Sequence, residues 1–319
     1  MVSEQCTRAL ALVAGGMLFL GAAQAAAPMM KGQAPGYYRM MLGDFQVTAL
    51  SDGTVDFPVG KLLTNVTQAA IDKGLARAYL KDPVQASVNA FLVNTGTKLV
   101  LIDTGTGNLF GPTLGKLAAN LKAAGVQPEQ VDEIYISHLH VDHVGGLMAG
   151  DKMVFPNAVV RADKHDADYW LSQANTDKAP KEAKGLFEGA MKSLNPYVAA
   201  GKFRPFDGNT ELVPGVRALA SRGHTPGHTT YVVESKGEKL ALIGDLVHVV
   251  AVQFPDPTVT HAGDSDTKSA VAQRRKTFAD TAANGYWIGA AHIAFPGIGH
   301  IRTAGKGYDW VPADYSVVR

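Results

Sequence analysis

The sequence predicts an α/β fold in one large domain. Strand-like apolar runs alternate with segments whose apolar residues recur at helical spacing, at both ends of the chain. The motifs that carry chemistry fall in order between Asp103 and His292, and no Pro/Ser-rich linker or charge block divides them. With 46% hydrophobic and 18% charged residues, the 319-residue chain has ample material for a core and does not resemble a disordered polypeptide.

In chain order, Ala90-Phe91-Leu92-Val93 and Lys98-Leu99-Val100-Leu101-Ile102 are β-rich runs around Asn94-Thr95-Gly96-Thr97, which reads as a hairpin turn. Leu114, Leu117, Ala118 and Leu121 repeat at helical spacing, and Gly125 is placed to end that helix. Residues 131–136 read as a strand, residues 163–173 as a helix, and residues 216–220 and 239–243 as buried strands. Residues 264–283 read as a helix with Asp264 or Ser265 available as its cap, and residues 287–291 as another strand. Strand alternation alone does not say how many layers the fold has.

The N-terminus reads as a processing segment. Arg8 precedes the apolar run from Ala9 to Ala22, and Ala23-Gln24-Ala25 has the small-x-small pattern of a cleavage site. The expectation is a signal peptide over residues 1–25 and a single domain over 26–319, exported to the periplasm or beyond and without a stable membrane anchor. The run is short for a membrane span. Cys6, the only cysteine, would leave with the signal, so the mature chain would form no disulfides. The net charge is +1, and the one basic cluster, Arg274-Arg275-Lys276, falls on what reads as an exposed helix face. Nucleic acid is therefore not an expected partner, because such binding needs a basic footprint. A homodimer is compatible with the sequence.

The densest chemistry lies in His138-Leu139-His140-Val141-Asp142-His143. Imidazole nitrogens and carboxylate oxygens are donors that zinc and similar divalent ions accept. Four donors in six residues exceed what one tetrahedral ion can use if it also takes ligands from elsewhere, which suggests two metals side by side. Further donors follow, each just past a strand: His224 in Gly223-His224-Thr225-Pro226-Gly227-His228, Asp245 after Gly244, and His292. Loops at strand ends gather side chains on a rigid base.

In this ordered set the sequence resembles the metallo-β-lactamase superfamily of dinuclear hydrolases, whose pattern is His-x-His-x-Asp-His, then a lone His, an Asp and a last His. Leu101-Ile102-Asp103-Thr104-Gly105 precedes the set as in that family. From Ala34 to Val318 the chain is similar to the methyl parathion hydrolases and their lactonase and aryl-esterase relatives. The likeness is clearest in Phe110-Gly111-Pro112-Thr113-Leu114-Gly115 and in Phe295-Pro296-Gly297-Ile298-Gly299-His300-Ile301-Arg302.

The resemblance implies a four-layer αββα sandwich, two mixed sheets packed together with helices outside. It assigns His138, His140 and His224 to a first metal ion, Asp142, His143 and His292 to a second, and Asp245 to both. Two divalent ions are implied, zinc first, with manganese, cobalt or iron suited to the same donors. A hydroxide shared between the ions would be the nucleophile, with Asp142 and Asp245 as the carboxylates that hold the pair. Asp103 is expected to accept a hydrogen bond from a ligand ring, and His228 to lie behind the ligands. His165 reads as solvated, and His300 is open between packing and pocket. Phe110 and Trp170 are expected as an aromatic wall, with His248 and His261 in the same substrate pocket. His248 stands where the methyl parathion hydrolases look aliphatic, a departure that bears on phosphotriester preference.

The function expected is an exported hydrolase of lactones or aryl esters of the dihydrocoumarin type. Phosphotriester hydrolysis of the methyl parathion type would be its main or side activity. Acyl-homoserine lactonase and β-lactamase-type amide hydrolase are the enzymatic alternatives. A periplasmic binding protein with a vestigial metal site is the non-enzymatic one. A serine esterase is disfavoured, since the chain has no Gly-x-Ser-x-Gly elbow.

Overall fold

Strand residues that are apolar at successive positions are buried on both faces, and this sets the layering. The computed structural model describes residue 27 and residues 29–318, so the predicted signal peptide lies outside the described residues. From Pro35 onward the chain forms one compact unit.

A six-stranded sheet is laid down in sequence order: β1 (Tyr37–Leu42), β2 (Phe45–Phe57), β3 (Val84–Asn94), β4 (Leu99–Ile102), β5 (Glu133–Tyr135) and β6 (Val159–Arg161). It is antiparallel as far as β4, and β4, β5 and β6 are parallel. A seven-stranded sheet is built in the same manner: β7 (Thr210–Val213), β8 (Val216–Ala220), β9 (Thr229–Ser235), β10 (Glu238–Leu242), β11 (Trp287–Gly289), β12 (Ile298–Ala304) and β13 (Gly307–Pro312). Only its β10–β11 pair is parallel.

Period-2 alternation divides the strand side chains among three cores. Phe91, Val93, Val100 and Ile102 meet Tyr231, Val233, Leu240 and Leu242 between the sheets. Ala90, Leu92 and Leu101 point outward to the helices of the first sheet, and Ala241 and Ile243 to those of the second. The expected four layers are present.

Among the described residues five helices have seven residues or more: α1 (Gln68–Arg77), α2 (Leu117–Ala123), α3 (Lys164–Trp170), α4 (Lys181–Ala199) and α5 (Thr267–Asn284). Helices α2, α3 and α4 bury Leu117, Leu121, Trp170, Phe187 and Leu194 on the first sheet, and α5 buries Phe278 on the second. Among the described residues no helix is long and apolar enough to cross a membrane.

Three expectations are corrected. The helix expected over 163–173 is two helices: α3 stops at Trp170, and Ser172 caps a new one, Gln173–Lys178, by accepting from the Asn175 N–H. The helix expected from residue 264 starts at Thr267. Its cap is Asp266, which accepts from the N–H groups of Lys268 and Ser269, and neither Asp264 nor Ser265 serves. Gly285 ends it in the left-handed conformation, φ +66°.

The basic cluster is not wholly exposed either. Arg274 is fully buried, and its guanidinium donates to the carbonyls of Leu246, Pro257 and Val259. It therefore ties together the chain that leaves β10 and the chain that enters α5. Arg274→Met fills similar space but leaves the buried carbonyls of Leu246 and Pro257 without this donor, each costing about 1–3 kcal/mol, while that of Val259 keeps the Gln253 side-chain amide. Unfolding by denaturant should show a loss of about 2 kcal/mol or more; a change below about 1 kcal/mol would contradict this role.

Candidate metal centre

Strands β4, β5, β8, β10 and β11 end at one edge of the sandwich, and the loops beyond them carry the donor residues. Two groups of side chains that share Asp245 converge there, beside a third of His224, His248 and His261. The ligand-type atoms of His138, His140, His224 and Asp245 lie within 4.8 Å of one another, as do those of Asp142, His143, Asp245 and His292. Asp245 belongs to both. In the first group, His140 Nδ1 lies 2.9 Å from His138 Nε2 and 3.2 Å from His224 Nε2. In the second, Asp142 Oδ2 lies 3.5 Å from His143 Nε2 and 3.3 Å from His292 Nε2. Asp245 spans them, with Oδ1 3.3 Å from His143 Nε2 and Oδ2 3.4 Å from His224 Nε2 and 3.2 Å from His292 Nε2.

This arrangement fits metal ions and does not fit a self-contained polar core. His143 Nε2 and Asp245 Oδ1 are buried without a hydrogen-bond partner, a state that costs free energy unless something pairs with them. Several rings are also held from behind. His143 Nδ1 donates to Asp103 Oδ2 at 2.9 Å, His224 Nδ1 to Asp264 Oδ1 at 2.9 Å, and His292 Nδ1 to the Ser87 carbonyl at 3.0 Å. Ser137 Oγ donates to Asp103 Oδ2 at 2.8 Å and faces His138 Nδ1 at 3.1 Å. Each outer nitrogen that carries the proton leaves Nε2 as a lone pair aimed at the centre, which is how ligand rings are oriented.

His228 is placed differently. Its Nε2 accepts the Asp245 N–H at 3.0 Å and its Nδ1 faces Ser221 Oγ at 2.8 Å, so both nitrogens are used and it supports the backbone of Asp245. Burial, chiefly, lowers its pKa to about 3, so the ring is neutral. Gly244, at φ +50°, makes this possible: a Cβ there would stand 2.7 Å from His228 Nε2.

The remaining expected residues are distributed around this centre. His248 is 5% exposed, with Nε2 3.1 Å from Asp245 Oδ2 and Nδ1 unpaired. Its ring lies among the donors, deeper than a pocket mouth. The His261 ring stacks on it at 4.0 Å and 5°. Trp170 is buried and meets His140 edge-on at 5.0 Å, so it backs a donor ring. Phe110 is 44% exposed, on a depression whose wall includes Val141, the residue between His140 and Asp142. His300 packs on Trp287 at 3.8 Å, which settles it as a packing residue, and His165 lies at the surface beside Asp163.

Four contributors were not legible as such. Phe57 packs edge-on against His292 at 5.1 Å, brought there by the long strand β2. Asp264, read as a helix cap, instead holds His224, and Ser137 links His138 to Asp103. Asp166 is fully buried and accepts from Leu139, Thr225 and Gly227. The one available signal was for Asp166, a carboxylate on the same helical stripe as Ala167 and Trp170, where an apolar residue belongs.

Burial disfavours ionisation of Asp245, yet the rings of His292, His143 and His138 hold its carboxyl well below the usual range. Burial opposes the charged form of His292 as well, but Asp245 and Asp142 outweigh it and raise the ring to about 10. His224 rises to about 9 through Asp245 and Asp264, again against its burial. Without metal, then, His292 and His224 hold protons at neutral pH. A ring with a raised folded pKa adds stability that is complete below its unfolded value and lost as pH climbs through the folded one. For His292 that window runs from 6.5 to about 10. The melting temperature of the metal-free protein should fall across it. Zinc added to metal-free protein at pH 8 in weak buffer should release more than one proton, because ligand rings must be neutral. Uptake without proton release would contradict the charge state described.

Residues 84–282 match the model of the metallo-beta-lactamase superfamily. Among solved structures, the fold superposes on the crystal structure of the hydrolase AbOPH of the beta-lactamase superfamily. The two are 41% identical with a TM-score of 0.85, over 90% of this chain and 100% of that one. It also superposes on AidC, a dizinc quorum-quenching lactonase in complex with a product, at 27% identity and a TM-score of 0.82, over 88% of this chain and 99% of that one. An N-acyl homoserine lactonase of Bacillus cereus is 27% identical over 205 residues, which are 58% of this chain and 74% of that protein. With the donor geometry and the family match together, the chain belongs to the metallo-β-lactamase superfamily and is a metal-dependent hydrolase.

Proposed function

We propose that the protein hydrolyses uncharged lactones and aryl esters, with phosphotriesters of the methyl parathion type as main or side substrates. The observation that carries this reading is the pair of donor groups joined by Asp245 in a surround of rings. Phe57, Trp170, His248 and His261 all contact donor rings. Among the described residues, no lysine or arginine pairs with Asp142 or Asp245. Such a lining suits a neutral, planar substrate. The similarity to the methyl parathion hydrolases in the Phe110 and Phe295 segments supports the same class.

Two divalent ions held by these residues, zinc in the first instance, would polarise a carbonyl or phosphoryl oxygen and activate water. The chain's own work is to hold that geometry. Asp103, Asp264 and the Ser87 carbonyl fix the rings, and His228 fixes the backbone of Asp245. An aryl leaving group needs little help from an acid, and Asp245 and Asp142 are held ionised, so neither carboxylate is suited to be that acid.

Acyl-homoserine lactones are the second reading, favoured by the likeness to AidC and the Bacillus cereus lactonase. A panel of dihydrocoumarin, acyl-homoserine lactones, aryl acetates, methyl parathion and nitrocefin, run on metal-loaded protein with a chelator control, separates the readings. Dihydrocoumarin, aryl acetate or methyl parathion should give the highest kcat/KM, and an acyl-homoserine lactone in that place would favour the second reading. A preference for nitrocefin would overturn the proposal. Export is proposed with it, from the N-terminal segment; recovery of the protein from the cytosol with its N-terminus intact would count against that part.

A further inference from the structure

We propose that Asp166 is a positioning residue that sets the metal affinity of one donor group, that of His138, His140 and His224, and leaves the other nearly untouched. The inference rests on the reading that each group holds an ion. Asp166 is fully buried on α3, a helix that supplies no donor of its own. Its Oδ2 accepts the Leu139 N–H at 2.9 Å, between His138 and His140, and the Thr225 hydroxyl at 3.0 Å, beside His224. Its Oδ1 accepts the Gly227 N–H. One carboxylate thus joins the loop after β5 in the first sheet to the loop after β8 in the second, and these two loops carry all three rings of one group.

The joint is close. A Cβ on Gly227 would stand 2.4 Å from the Asp166 nitrogen, so the two backbones meet only because residue 227 is glycine. The other group is held elsewhere, His143 by Asp103 and His292 by the Ser87 carbonyl.

A carboxylate suits this joint and its amide does not. Both oxygens accept at once, from three donors. An asparagine offers one oxygen and turns an NH2 toward an N–H that needs an acceptor. Burial pushes the Asp166 carboxyl up to about 6, with the three donors acting against that rise. Burying a charge with no cation beside it is costly, and the charge is kept where two loops must stay in register.

The test measures zinc affinity by chelator competition, on metal-free protein reloaded with zinc, and does not depend on activity. Wild type should take up two ions. Asp166→Asn should weaken one by roughly 10- to 100-fold, the range for groups that orient ligands, and the other by less than about 3-fold. Single-group proteins identify which ion is affected. With His292→Ala disabling the second group, Asp166→Asn should weaken the remaining ion by the same factor; with His140→Ala disabling the first, it should not. Ser172→Ala removes the N-cap of the helix that follows α3 without touching the joint, so it should lower the melting temperature and leave both affinities in place. Equal weakening of both ions by Asp166→Asn, or no weakening in a folded protein, overturns the inference. If Asp166→Asn does not fold, Thr225→Val, which removes one donor, should weaken the same single ion by a smaller factor, and equal weakening of both again overturns it. A wild type that takes up only one ion overturns the two-group reading and this inference together, whereas equal weakening against a two-ion wild type overturns this inference alone.

Discussion

Asp245→Ala should leave the purified protein with about one divalent ion or fewer and reduce kcat/KM for an aryl ester by more than roughly 100-fold, the upper end for residues that only orient ligands. Asp245 is the one carboxylate common to both donor groups. Its Oδ2 lies within 3.6 Å of nitrogens on His138, His224, His248 and His292, and its Oδ1 is 3.3 Å from His143. Without it the first group has no carboxylate among its donors, and the second keeps only Asp142. Removing one side of a buried charge network typically costs about 3–5 kcal/mol, so the metal-free variant should also melt earlier than metal-free wild type. Elemental analysis and steady-state kinetics on the same preparation check both parts. Two ions retained at full occupancy would remove Asp245 from its bridging place.

His248→Leu should raise kcat/KM for methyl parathion relative to dihydrocoumarin by roughly 10- to 200-fold, the range for one side-chain change in a substrate pocket. The ring lies between His292, centroids 5.2 Å apart, and His261, 4.0 Å apart, with Phe57 6.4 Å away. A planar lactone leaves room beside such a stack. A tetrahedral phosphotriester with two alkoxy arms presses against it and finds a polar edge where an apolar one would serve better. Leucine supplies that apolar surface and frees one face of His261. It also removes the 3.1 Å contact to Asp245 Oδ2, but His292 and His224 remain within 3.4 Å of that oxygen, so the carboxylate keeps its partners. Both substrates and the melting temperature should be measured on one preparation. An unchanged ratio in a stable variant would dismiss His248 from the specificity argument, and a parallel loss of both activities with a lower melting temperature would make it a packing residue.

Motif order and strand patterning made the fold class and the donor set legible before any coordinates. His138, His140, Asp142 and His143 are local to one another, so their convergence needs only a strand end and a tight turn. His224, Asp245 and His292 each come just after an apolar strand, and parallel or like-directed strands bring their ends to one edge. What the sequence left open depends on contacts between residues far apart in the chain. Nothing beside Asp264 says that it faces His224, because the two meet only when α5 packs against the second sheet. Asp166 looks like one more charge on a helix until the loops after β5 and β8 close on it. Arg274 reads as a surface charge because periodicity cannot show that three carbonyls wait beneath that helix face. Phe57 reaches His292 because β2 runs 13 residues and its last residue arrives at the edge where the donors gather. The sequence by itself determined which side chains can bind metal and which strands carry them. Only the tertiary structure decided which buried carboxylates and aromatic rings hold those side chains in place, since burial and hydrogen-bond partners arise from packing and not from spacing along the chain.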